Sequence, residues 1–109
     1  MPEHEPQNVK ITVIGKLDLR EIHPNGGTGC KASLDPICPA FEIGDEFVTD
    51  GRHPDGFCNA AFVDIYRYIS SLRRGANYSW MDVPGTAVAC CTDGLRPVIF
   101  KIQRTDDQL

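Results

Sequence analysis

The sequence predicts an α+β domain: a small, bent, mainly antiparallel sheet, barrel-like at its most curved, with one main helix packed on it. Three observations predict it. In "VKITVIGKL" apolar and polar residues alternate, with Val9, Ile11 and Val13 on one face and Lys10, Thr12 and Lys16 on the other, the period of a half-buried strand. In "CNAAFVDIYRYISSLRRG" the residues Ala61, Phe62, Ile65, Ile69 and Leu72 recur at helical spacing. The last third holds two apolar runs, "TAVACC" and "RPVIFKIQR", joined through Asp93-Gly94, a strong hairpin signal. One helix with hairpin-type connections belongs on one face of an antiparallel sheet. The expected order is β, long loop, β, α, β, β.

Residues 1–8 are acidic and polar and are expected to be a disordered lead-in, followed by a single domain over 9–105 and a short tail at 106–109. From Asp18 to Ala40 the chain is dense in Gly and Pro ("HPNGGTGC", "LDPICPA"), which predicts an irregular, ordered loop lying over a site. In "FEIGDEFVTDG" the alternation of Phe41 and Ile43 breaks at Gly44-Asp45 and resumes at Phe47, as in a strand bent at a glycine. "GRHPDG" is a turn cluster. The helix that follows closes with Arg73 and Arg74 in its last turn and Gly75 after it. "ANYSWMDVPG" is a loop with the only tryptophan, Trp80.

A two-residue turn at Asp93-Gly94 sets a register: Cys91 opposite Arg96, Cys90 opposite Pro97, Ala89 opposite Val98. Opposed residues share a sheet face. Cys91 then joins Ala89, Val98 and Phe100 on the core side, while Cys90 joins Val88 and Ile99 on the other. A vicinal disulfide would break this pairing.

The 109 residues suffice for one compact domain. A hydrophobic fraction of 41% supports a real but modest core, since a domain of this size buries only about two-thirds of its unfolded surface. Eleven Lys and Arg against fifteen Asp and Glu leave a net charge of −4, which weighs against gripping a phosphate backbone, so no nucleic-acid partner is expected. No apolar run approaches the roughly 20 residues that cross a bilayer, so no membrane partner is expected either. The opening "MPEHEPQN" has no basic region followed by an apolar one, the mark of a secretory signal. The expected location is the cytoplasm, where five cysteines stay mostly reduced and suit metal binding or thiol chemistry better than a disulfide framework.

Cys58 falls at the expected helix start, where unpaired amides and the positive end of the helix dipole stabilise a thiolate. Cys38 lies between Pro36 and Pro39 just before the second strand. These two and Cys91 all flank the ends of neighbouring elements and can meet. Their spacing is no zinc-knuckle pattern and there is no C-x-x-C. A buried free cysteine is also ordinary core filling. His53, in its turn cluster, is the nearest histidine to act as general base, although a solvated turn residue is the plainer account. Trp80 is a candidate for stacking on a substrate or for capping the core. Arg96, opposite Cys91, is a candidate for holding an anion or a thiolate, or for an ordinary surface ion pair. Asp64 is expected to pair with Tyr68 or Arg67 along the helix, and His23, beside Pro24, to be solvated.

The motifs "CPAFEIGDEF", "PDGFCNAAFVDIYRYISSLRRG" and "GTAVACCTDGLRPVIFKIQR" together resemble a family of short bacterial and archaeal proteins without an assigned activity. The resemblance runs from about Val9 to Arg104 and covers Cys38, Cys58, Trp80, Cys91, Asp93, Gly94 and Pro97. The chain departs from the family's pattern in "NAAF" after Cys58, where an aromatic is more usual, and in a longer loop containing Cys30. The resemblance implies the fold and the location of a site, and no reaction.

Two function classes follow. In the first, favoured reading the protein is an enzyme-like thiol or thiolate–metal site acting on a small molecule. Cys58 is the nucleophile, with Cys91 or Cys38 assisting, or Cys38, Cys58 and Cys91 hold zinc or iron with a fourth position open. In the second the protein is a non-enzymatic module that binds a ligand or a protein through the bent sheet and the Trp80 loop, its cysteines structural. A small core also leaves room for a homo-oligomer.

Overall fold

The computed structural model describes residues 5–23 and 29–109. Its elements are β1 (Asn8–Lys16), a short helix α1 (Leu19–Ile22), β2 (Glu46–Thr49), the main helix α2 (Asn59–Arg73), β3 (Thr86–Cys90) and β4 (Val98–Thr105). All strand pairs are antiparallel in the order β2-β1-β4-β3. The α+β class and the strand order along the chain follow the expectation, but the sheet is open and does not close into a barrel.

Alternation in β1 and β4 decides which face is covered. Val9, Ile11, Val13, Val98, Phe100 and Ile102 are buried against Ala61, Ile65, Ile69 and Leu72 of α2. The opposite face carries Lys10, Thr12, Val88, Cys90 and Lys101 and is open or half-open to solvent. An antiparallel sheet can be wet on one side because hairpin connections leave that face uncovered.

Several expectations need correction. Phe41 and Ile43 are not a strand. Asp45 donates its N–H to Glu42 O at 3.0 Å and its carboxylate accepts the Glu42 N–H at 2.9 Å, and Gly44 takes φ +100°. Pairing with β1 continues before Glu46 through Gly44 and Asp45, which bond Val13 at 2.8 and 2.9 Å, while Phe41 and Ile43 lie outside the strand. Phe41 instead points its ring into the core, at 2% exposure, against Phe47, Phe57 and Phe100. The loop after β1 contains α1, whose start is capped by the Asp18 carboxylate accepting the Arg20 N–H at 2.8 Å. Lys16 is not on the polar face. A bulge between Val13 and Gly15 puts Ile14 out of register and moves Lys16 to the core side. There its ammonium donates to Cys38 O at 3.2 Å and to Phe41 O.

The segments flanking the outer ends of β1 and β4 are tied down, one to the end of α2 and one to β1. Gln7 donates its N–H to Arg73 O at 3.0 Å, and Lys10 pairs with Asp107 at 2.9 Å. The lead-in expected to be disordered is thus bonded by residue 7, while residues 1–4 lie outside the described ones. So does the 24–28 part of the glycine-rich loop. Its remainder is fastened to the hairpin end. Leu19 N–H donates to Pro36 O at 2.7 Å, Arg96 Nη1 donates to Asp35 O at 3.0 Å and His23 Nε2 to Gly94 O at 2.8 Å. His23 is therefore half-buried and bonded rather than solvated.

The last hairpin has a wider loop than a two-residue turn. Ala89 pairs with Phe100 and Cys90 with Ile99, and Cys91 donates its N–H to Val98 O at 3.1 Å. The register is thus displaced by two residues from the expected one. Pro97 has no N–H to give the ladder, and the Asp93 carboxylate accepts the Leu95 N–H at 2.9 Å, which builds a longer Asx-type loop. A shift of two preserves face parity. Cys91 stays on the core side with Ala89, Val98 and Phe100, and Cys90 stays exposed.

Candidate active site

Cys38, Cys58 and Cys91, far apart in sequence, line one cavity of about 320 Å³ at the end of the sheet. Its apolar walls come from Phe41, Ala61 and Val98, and its polar rim from Asp64, Thr92 and Asp93.

Each thiol arrives by a different route. Cys58 is the residue just before α2, extended at φ −61° and ψ 126°, and makes no side-chain capping bond. Its position follows from Phe57, which is 4% exposed and locked among Phe41, Phe47 and Phe100, so the next side chain must emerge at the helix mouth. The first-turn amides of an α-helix have no partner within the helix, and here the capping position presents sulfur. Cys91 extends the β3 edge by one residue, and its Sγ accepts the Val98 N–H at 3.3 Å. Cys38 is brought over the cavity by the Lys16 ammonium, which binds the carbonyls of Cys38 and Phe41.

Asp64 is the residue that sequence reasoning missed. It does not pair along the helix. Arg67 bonds Tyr68 Oη at 2.9 Å and lies over its ring, while the Asp64 carboxylate reaches across to the strand end. It accepts the Thr92 N–H at 2.8 Å and the Thr92 hydroxyl at 3.0 and 3.1 Å. The available signal was its place three residues after Ala61 and one before Ile65, at the border of the buried stripe. Asp93 also faces the cavity, with Arg96 Nε 3.9 Å from its carboxylate. Among the described residues no lysine, arginine or histidine lines the cavity.

The other expected site residues lie elsewhere. His53 lines a separate, wider surface depression with Asp50 and Arg52, its ring edge-on to Phe62 at 5.2 Å. In that depression the Arg52 guanidinium, 2.7 Å from Asp50, lowers the Asp50 carboxyl to about 2. Trp80 is 70% exposed and stacked on Tyr78 at 4.8 Å, so it neither caps the core nor borders the thiols. Arg96 is turned to Asp35 O and Asp93 and ties two loops together. Cys30 lines a third depression, beside α1. Cys90 is exposed on the open sheet face.

The cavity's donors are of the type zinc and iron accept. Among the described residues, however, no three His, Cys, Asp or Glu side chains are gathered as a metal ion requires. Among the described residues, too, no helix is long and apolar enough to cross a membrane. No known protein family, curated protein or solved structure matches the chain.

Proposed function

We propose that the protein is a thiol-dependent site for a small molecule, with Cys58 as the attacking sulfur and Cys91 and Cys38 as its partners in the same cavity. One observation carries the reading: three thiols from three separate segments share one cavity of small-molecule size. Core filling alone would scatter sulfurs through the apolar interior. Here they sit at its mouth beside a carboxylate. The N-terminal end of α2 favours negative charge at Cys58, and Cys58 is the one of the three placed at that end. The thiol proton passes to water, since His53 faces a different depression. The reduced cytoplasm suits such a site.

Labelling with iodoacetamide at pH 7, followed by peptide mapping, tests the reading. Cys90 is the internal reference, because it is more exposed than Cys58. Cys58 is expected to react about tenfold faster than Cys90 despite its lower exposure. A Cys58 slower than Cys90 contradicts the reading. The thiolate–metal form of the same site is separated from the metal-free form by native mass spectrometry of protein purified without oxygen or chelator. A stoichiometric mass loss on acid denaturation, matching zinc or iron, would put Cys38, Cys58 and Cys91 in the role of ligands.

One observation favours the second class, a non-enzymatic interaction module. Trp80 presents a stacked, exposed indole backed by Tyr78, whose hydroxyl bonds Ser71, and rigid aromatic surface is a common anchor for partners. Uniformly slow thiols would favour that class.

A further inference from the structure

We propose that the thiol cavity selects small cationic molecules that carry a thiol-reactive centre, and disfavours anionic ones. The inference rests on the thiol reading above and names the substrate class of the same site.

The charges facing the cavity are unequal. The Asp64 carboxylate is clamped by Thr92 through two neutral donors, so its charge is held in place, and among the described residues no salt bridge offsets it. Asp93 is different: its carboxylate accepts the Leu95 and Arg96 amides and has the Arg96 guanidinium at 3.9 Å. Lys16 keeps its charge, but its ammonium is bound to the carbonyls of Cys38 and Phe41 and does not itself line the cavity. The positive influence at the lining itself is the N-terminal end of α2 at Cys58, about half an elementary charge, and it faces the sulfur that carries the developing negative charge. The cavity is therefore bipolar along the helix. Asp64 lies six residues beyond Cys58, about 9 Å along the axis at the helical rise, less the tilt of helical side chains toward the N-terminus. A molecule with its electrophilic atom at one end and an ammonium a few bonds away meets both.

The covalent step balances without an added oxidant when the centre is an activated disulfide-type sulfur. The Cys58 thiolate attacks it, a new S–S bond forms, and the leaving group departs with the bonding pair. The thiol proton has gone to water.

Three methanethiosulfonates of similar size test the proposal: the neutral methyl, the cationic 2-ammonioethyl and the anionic 2-sulfonatoethyl reagents. Each releases methanesulfinate as the leaving group, and rates are read at each cysteine by peptide mapping. At Cys58 the cation-to-anion rate ratio is expected to fall about tenfold in Asp64→Asn, as expected for loss of one fixed charge at close range. The Cys90 ratio is expected to stay the same. The asparagine oxygen can still accept the Thr92 N–H, which preserves the clasp. Independently of any variant, the wild-type Cys58 ratio is expected to shrink severalfold between low salt and about 1 M salt, where screening reaches only ~3 Å. An unchanged ratio in Asp64→Asn, or one that persists in salt, overturns the charge selection alone. A Cys58 slower than Cys90 toward the neutral reagent overturns the thiol reading beneath it.

Discussion

Phe100→Ala is expected to lower stability by about 4 kcal/mol, the usual range for emptying a buried aromatic site. Phe100 has no exposed surface and sits on β4, a central strand of the sheet, paired with Val13 on one side and Ala89 on the other. Its ring meets Phe41 edge-on at 5.3 Å and Phe57 at 5.5 Å. A small domain holds about 5–15 kcal/mol in total, so a large share of its stability would go. Urea unfolding checks this, with the midpoint falling and the slope unchanged. The loss also bears on the site. Phe41 and Phe57 lean on Phe100, and they fix the segments that deliver Cys38 and Cys58. The same variant should therefore erode any rate advantage of Cys58 over Cys90, even under conditions where it remains folded. Phe100→Leu keeps most of the volume and should cost about 1 kcal/mol.

Arg104→Ala should cost about 3 kcal/mol, from the loss of charge-assisted hydrogen bonds at a helix end. Arg104 Nη1 donates to Leu72 O at 3.0 Å and Ala76 O at 2.6 Å, and Nη2 to Asn77 Oδ1. One guanidinium thus binds carbonyls at the negative end of α2 and joins helix to sheet. Removing it leaves those acceptors in a partly buried place without a donor. Gly85 shows how tightly the fork is held: at φ +78°, a side chain there would put its Cβ 3.0 Å from the guanidinium. Lysine cannot reproduce a planar fork, so Arg104→Lys should recover only part of the loss. Urea unfolding gives the magnitude, and faster amide exchange confined to the last turn of α2 would locate it. A variant as stable as the wild type would contradict this account of the helix end.

The long-period features were legible in the sequence, and the local departures from them were not. Alternation in Val9, Ile11 and Val13 and the stripe of Ala61, Ile65, Ile69 and Leu72 identified the buried faces, because burial selects one face of a regular element. The facing of Cys90 and Cys91 was readable for a related reason: strand parity is unaffected by a displacement of two residues. The bulge at Ile14 was hidden, since an inserted residue leaves the apolar pattern before it intact and reverses it only afterwards, at Lys16. The Gly44 turn was mistaken for a bent strand because a bend and a closed turn use the same residues, and Phe41 needed tertiary contacts to declare its direction. Asp64 was read as a surface carboxylate because its partner, Thr92, is distant in sequence and arrives only with the hairpin. His53 was chosen for the opposite fault. Nearness in sequence to Cys58 did not survive the turn at Pro54, which sends the imidazole into another depression.

Cys38, Cys58 and Cys91 line one cavity of about 320 Å³, which leaves room for one sizeable adduct. Intact-mass labelling with a bulky aryl maleimide, with adducts mapped at increasing times, tests it most directly. A single adduct is expected within this group of three, after which its other two members slow sharply while Cys90 continues at its own rate. Two or three adducts accumulating independently on Cys38, Cys58 and Cys91 would show that the thiols do not share a cavity.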